Sequence, residues 1–389
     1  MNAFQTLMRG WAQLAPYNFI HALRLEQPAG VERWHAATAA ALRTLELETT
    51  SLAIETPATP IEAHLEAELH RAFAPGALPL RFFVVEANGG GHWFGVVVDH
   101  WFADDFSCRA MLRRIYSSYQ PDGATADKAD LFLAQKQAPR RNWMVEWSSF
   151  LQQAASLQRA SRLPVNECLD FTVGVFRTEL PAGTLEVART IAKEQNATVH
   201  DVFLAAAAQA SAAAHFWPAG DGRDAIALAS AMDLRRFESG SARDGFGLLI
   251  SQFTLVERRP EKVSLPELVA RIAPKTRRLK KVSGRAVFIA GLFSWRLARS
   301  RRAKATLYQR GSPFAAGLSN VNLSGSWIEQ SEIAEFRRVG PTGPVVPLVL
   351  MLTTLRDRIF VDTTYRTTAF SLEAAENLVE DMGRRLMNR

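Results

Sequence analysis

Residues 99–107 read Asp-His-Trp-Phe-Ala-Asp-Asp-Phe-Ser, which sets one histidine, His100, among three carboxylates, Asp99, Asp104 and Asp105. An imidazole with an ordinary pKa near 6.5 can be neutral before a reaction and cationic during it, which suits a general base. Asp104 lies about one helical turn further on, where a carboxylate can hold the loop in place if an arginine from elsewhere neutralises it. A satisfied structural histidine in a solvated turn has the same spacing, so spacing alone leaves both readings open. Cys108 reads as a packed residue and not as a nucleophile, because it sits near the start of an apolar helix.

The neighbouring elements decide how rigidly His100 is held. The run HWFGVVVDH (92–100) is apolar at successive positions and predicts a strand buried on both faces that ends at the histidine. RFFVVEA (81–87) predicts a partner strand, joined to it through NGGG, a turn signal. Helical spacing from about 106 to 119 follows. Upstream, YNFIHALRLEQP (17–28) reads as a strand running to a turn. GVERWHAATAAALRTL (30–45) reads as a helix with Val31, Trp34, Ala41, Leu42 and Leu45 on one stripe and Thr38 as its polar member. Residues 60–73 give another helix, 121–130 a surface loop, and 141–160 a helix leading towards a second half.

That second half repeats the mixed pattern. Helices are predicted over 184–195 and 197–216, the latter with Thr198 as N-cap and Asp201 three residues on. Residues 224–237 read as a strand ending in a polar turn, 346–355 and 358–366 as a hairpin, and Ser371 caps a final helix. The chain therefore reads as mixed α/β, divided into residues 1–165 and 166–389.

Composition narrows the classes. At 389 residues, with 48% hydrophobic and 22% charged, the chain is an ordinary globular sequence long enough for two domains. Its two cysteines, Cys108 and Cys168, form no CxxC or Cys/His pattern, which argues against a disulfide framework or structural zinc and suits a reducing compartment. The N-terminus lacks the apolar core of a secretory signal, and no stretch approaches the roughly 20 apolar residues of a membrane span, so a cytoplasmic protein is expected. A net charge of +7 and a pI near 9.7 favour anionic partners. KTRRLKK (275–281) and RLARSRRAK (296–304) flank AVFIAGLFSW (286–295), a basic amphipathic segment. It could meet anionic lipid, an acidic carrier protein or the phosphates of a nucleotide-containing thioester, or simply be a solvated helix covering the core. Nucleic acid is not expected, since the basic residues are confined to one region with no recognition motif beside them.

The segment around His100 resembles the active-site segment of the superfamily of thioester-dependent acyltransferases that includes chloramphenicol acetyltransferase, nonribosomal-peptide condensation domains and bacterial wax ester synthases. Their His-His-x-x-x-Asp-Gly stands here as Asp99-His100-Trp101-Phe102-Ala103-Asp104-Asp105. LHRAFAPGALPLRFFVVE before it and CRAMLRRIYSSY after it are similar to the family's flanking strand and helix. ATVHDVFLAAAAQA, ASAMDLRRF and GLSNVNLSG resemble further motifs in family order, so the likeness spans roughly residues 15–385.

The resemblance implies two chloramphenicol-acetyltransferase-like subdomains with the active-site tunnel at their interface. His100 would be the general base, Asp104 the structural aspartate with Arg235 as its salt-bridge partner, and Ser319 or Asn320 the donor to the oxyanion. No cofactor or metal would be bound. The co-substrate would be an acyl-CoA or acyl-carrier-protein thioester, the acceptor a small alcohol or amine, and peripheral contact with an anionic membrane is possible for the basic segment. Asp99 and Trp101, with Asp105, are the remaining candidates for acceptor selection. Two departures stand out. Asp99 replaces the first histidine, and Asp105 replaces the glycine. Asp105 is open to three readings: a helix N-cap, a selector of a cationic or hydroxyl-rich acceptor, or a mark of lost activity in a relative that only binds acyl chains, carrier proteins or membrane. A thioester hydrolase is a third functional class.

Overall fold

The computed structural model describes residues 3–120, 143–162, 167–214, 222–237, 245–311 and 313–388. The loop expected at 121–130 and the first two residues of the helix expected at 141–160 lie outside them. The first half runs α1 (Ala3–Trp11), β1 (Asn18–Leu25), α2 (Val31–Thr44), β2 (Ile54–Glu55), α3 (Ile61–His70), β3 (Leu80–Glu86), β4 (His92–Asp99), α4 (Asp105–Tyr119) and α5 (Trp143–Leu157). The second runs β5 (Val173–Glu179), α6 (Thr184–Glu194), α7 (Val199–Ala213), β6 (Ala225–Asp233), β7 (Ile250–Arg258), α8 (Leu265–Leu279), α9 (Arg285–Leu297), α10 (Arg301–Gly311), β8 (Phe314–Asn322), β9 (Glu335–Val339), β10 (Leu348–Leu355), β11 (Arg358–Arg366) and α11 (Leu372–Met387).

Two sheets result. One has the order β2-β3-β4-β1-β9 and the other β5-β11-β10-β8-β6-β7. β4 is central in the first sheet, and seven of its eight residues are buried, which is why its sequence shows no alternation. Gly95 in this strand faces Phe83 of β3, and a Cβ there would collide with the Phe83 ring. Trp34 of the predicted α2 stripe is fully buried and stacks between Phe94 (3.9 Å) and Tyr119 (3.6 Å), tying α2 and α4 to the sheet.

In the second half the alanine-rich α7 is buried along nearly its whole length. Its small side chains let it lie against the sheet while α6, α8 and α11 pack around it. The Thr198–Asp201 capping box starts it, as read from sequence. The segment expected as a strand ending in a polar turn is a strand to Asp233, and Arg235–Phe237 then form a 3₁₀ turn, from which Arg235 reaches Asp104 and Ser107 of the first half.

One strand crosses between the two halves of the chain. β9 lies between β8 and β10 in the chain, yet it pairs antiparallel with β1, from Ile20↔Val339 to Arg24↔Glu335. Residues 166–389 thus donate an edge strand to the first sheet, and the halves are interlocked. Among the described residues, no helix is long and apolar enough to cross a membrane.

Candidate active site

β4 ends at Asp99, opposite Asn18 of β1, and the chain then turns sharply before α4. The His100 amide donates to the Tyr17 carbonyl (2.9 Å), and the Phe102 amide to the Asp99 carbonyl (2.8 Å). The His100 ring lies between Tyr17 and Phe19, near-parallel to both at centroid separations of 5.6 and 5.1 Å. Its Nδ1 is 3.1 Å from the Ala103 carbonyl, and only a protonated Nδ1 can donate there. The tautomer is thereby set, with Nε2 as the basic nitrogen. Burial lowers the His100 pKa from its ordinary value, against the Ala103 carbonyl and the charges of Asp104 and Asp105, which raise it. The imidazole is accordingly neutral at pH 7.

Asp104 is the N-cap of α4 and is fully buried. One carboxylate oxygen accepts from the Ser107 amide (3.0 Å), and the other accepts from Arg235 Nη1 (2.8 Å) and the Leu249 amide (2.7 Å). Arg235 donates further to Ser107 Oγ (2.9 Å) and the Gly245 carbonyl (3.2 Å), with its guanidinium over the Phe106 ring. Both carboxylate oxygens and both terminal guanidinium nitrogens are therefore matched, and Arg235 Nε alone is left over. Such near-complete matching is the condition under which a buried ion pair is tolerated. Asp104 thus caps α4 and ties its start to Arg235 and Leu249, directly after the loop that carries His100.

Asp105 is the first residue of α4 and not its cap, which removes the N-cap reading. Its Oδ1 accepts from Arg338 Nε (2.6 Å) and His21 Nε2 (3.0 Å), and its Oδ2 from Arg109 Nε (3.0 Å). Burial pushes its carboxyl upward, but Arg338, Arg109 and the His21 bond outweigh that and hold it well below the usual carboxylate range. Burial drives His21 down to about 4, so the bond to Asp105 is that of a neutral imidazole donating its proton. Arg338 is fully buried and also donates to the Leu352 carbonyl (3.0 Å) and, through Nη2, to Ser319 Oγ (2.9 Å). The charge of Asp105 is thus committed to a buried arginine.

His100, Asp105 and Ser319 line one cavity of about 150 Å³, together with Tyr17, Phe19 and Ser230. Both subdomains contribute to its wall, so it sits at their interface. Ser319 Oγ accepts from Arg338 and keeps its own hydrogen to donate. Asn320, the next residue on β8, is not among the cavity's lining residues, and its Oδ1 is buried without a hydrogen-bond partner among the described residues. Ser319 therefore stands with His100, and Asn320 does not.

Asp99 and Trp101 also fall outside the wall. Burial raises the Asp99 pKa, against its hydrogen bonds from Trp101. Trp101 packs towards α1, where Arg9 lies over its ring and Gln5 donates to its carbonyl. The Cys108 thiol is fully buried, and burial pushes its pKa well above the ordinary value, so it is inert. Among the described residues no three His, Cys, Asp or Glu side chains stand together as a metal site.

Three participants went unread in the sequence: Arg338, His21 and Ser230. Ser230 Oγ lies 2.8 Å from His200 Nε2 on α7, and burial drives that histidine down to about 4. Asp105 itself was the available signal for Arg338, because a carboxylate at a buried helix start calls for a cation.

No protein-family model and no curated protein sequence matches the chain. Solved structures do. The condensation domain of the monacolin K polyketide synthase MokA superimposes with a TM-score of 0.65 at 14% identity, covering 98% of this chain and 96% of that one. The trichothecene 15-O-acetyltransferase of Fusarium sporotrichioides gives 0.66 at 13% identity, covering 98% and 93%. The teicoplanin-biosynthesis X-domain, in its complex with OxyB, gives 0.62 at 15% identity, covering 99% and 92%. With its two interlocked subdomains and the His100 cavity between them, the chain has the chloramphenicol-acetyltransferase-like fold of the condensation domains.

Proposed function

We propose that the protein is an acyltransferase that moves an acyl group from a CoA or carrier-protein thioester to a hydroxyl or amine acceptor. The observation that carries this reading is the setting of His100. Its ring is held between two aromatic side chains, its Nδ1 is committed to the Ala103 carbonyl, and its basic Nε2 belongs to a residue lining the same cavity as the Ser319 hydroxyl.

Nε2 accepts the acceptor's proton as the acceptor oxygen or nitrogen attacks the thioester carbonyl. The Ser319 hydroxyl, oriented by Arg338, donates to the oxygen of the tetrahedral intermediate, a contribution of about 3 kcal/mol for one such donor. When the intermediate collapses, the imidazolium returns the proton to the departing thiolate. No acyl-enzyme forms. The likeness to condensation domains and to an acetyltransferase supports the reaction class, and a cytoplasmic setting fits a chain with only two cysteines.

Thiol release from a panel of acyl-CoAs with pooled alcohols and amines tests it. Release that depends on an acceptor and disappears in His100→Ala supports the reading, and undiminished turnover in that variant sinks it. Release without any acceptor would make the protein a thioester hydrolase. A second reading, a binding relative without catalysis, draws on Asp105 in place of glycine and on the X-domain, a neighbour solved as a complex with another protein. Tight acyl-thioester binding with no release in any combination would favour it.

A further inference from the structure

The outer face of α5 and α9 differs from the rest of the described surface. Trp143, Trp147 and Leu151 follow one another at four-residue spacing on α5, as do Phe293 and Leu297 on α9. All five are exposed, Leu151, Phe293 and Leu297 by 62, 64 and 66%. The two helices pack together, and Ser283, just before α9, donates from both its amide (2.9 Å) and its hydroxyl (2.6 Å) to Glu146 of α5. Arg278 Nη2 reaches Gln152 of α5 at 2.7 Å.

Charge is as one-sided as the apolar pattern. Residues 275–311 contain twelve lysines and arginines and no acidic residue. Lys281, Arg296, Arg299 and Arg302 are exposed and have no carboxylate partner among the described residues. Arg296 shares a helix face with Phe293, next to Leu297. On their inner side the same helices, with α1, line an apolar chamber of about 220 Å³ that shares Gln252 with the His100 cavity.

We propose that the α5–α9 face docks on a lipid bilayer carrying anionic headgroups. Trp143, Trp147, Leu151, Phe293 and Leu297 seat at the acyl boundary, and the unpaired cations meet the headgroup phosphates. Aromatic and aliphatic side chains set among unneutralised arginines are the composition of an interfacial helix. Charge decides against a second copy of the chain, since two such faces would oppose their cations. The further consequence, that an acyl chain drawn from the bilayer passes through the apolar chamber towards His100, rests on the acyl-transfer reading; docking does not.

The test is sedimentation of the full chain with phosphatidylcholine vesicles, alone or with roughly a third phosphatidylglycerol. The wild type binds the anionic vesicles, binds neutral ones far less, and is released by salt. Leu151→Glu with Phe293→Glu weakens binding about tenfold or more at an unchanged melting temperature, and Arg296→Glu with Arg299→Glu does the same if the first pair fails to fold. His100→Ala binds as the wild type does, which keeps docking separate from acyl transfer. The proposal is overturned if the wild type sediments with neither vesicle, or binds neutral ones equally. It is also overturned if folded variants bind undiminished, or if an acidic carrier protein binds this face and vesicles do not.

Discussion

Replacing Asp105 by Asn keeps the shape of the side chain and removes the charge that neutralises Arg338. Arg338 is fully buried, whereas the Asp105 side chain is 19% exposed and Arg109 remains beside it. Breaking a fully buried pair costs about 3–5 kcal/mol, and the partial exposure places Asp105→Asn near the lower end, about 3 kcal/mol. For 389 residues at about 2.1 cal/mol/K each, that loss lowers the melting temperature by about 4 °C. Arg338→Met, which also removes a donor to the Leu352 carbonyl, should cost about as much. Because each single change removes the same Arg338–Asp105 pairing, the double variant should lose about 4–5 °C and not about 8 °C. Thermal melts of all four proteins measure this. The pH dependence has a defined sign. The folded-state pKa of Asp105 lies below its unfolded value, so its contribution is full above about pH 4 and drains away as pH falls through the folded value. The gap between wild type and Asp105→Asn must therefore close in acid. Strictly additive losses, or a shift under 1 °C in Asp105→Asn, would refute the reasoning.

Two further outcomes follow from the cavity. Since burial lowers the His100 pKa, kcat/KM should rise with pH along an acid limb whose midpoint lies below 6.5 and be flat at neutral pH; a midpoint at or above 6.5 contradicts the assignment. Ser319→Ala should lower kcat by about 10²–10³-fold, whereas Asn320→Ala, which alters a residue outside the cavity wall, should change kcat by less than about threefold, and equal losses from the two would remove Ser319 from its role.

The elements around this cavity were legible because they obey local rules. A buried strand shows itself by unbroken hydrophobicity, so HWFGVVVDH by itself places His100 at a strand end. The capping box before α7 and the serine before α11 likewise declare themselves within four residues. Arg338 did not, because EFRRV carries two successive arginines in a strand whose last four residues are all buried. Arg337 is matched by Asp362 at 3.0 Å and Arg338 by Asp105 at 2.6 Å, partners 25 and 233 residues away. A reading that assigns arginine to the surface has no access to such pairings. The same limit explains Ser319 and Asn320: adjacent residues of one motif are equivalent in sequence until the pleat of β8 sends them to opposite faces.

The strand exchange has a consequence for how the chain is made. β1 is complete at residue 25 and β4 at residue 99, yet the far side of β1 has no partner until β9 ends at residue 339. At a synthesis rate of roughly 5–20 residues per second, the first sheet waits on the order of 10–50 s for its closing strand. Through that interval the emerging chain carries a hydrophobic strand with one unpaired edge, the kind of edge that recruits strands from other molecules. The same strand brings Arg338 to Asp105 and Ser319, so the His100 cavity cannot be assembled before residue 339 has been translated.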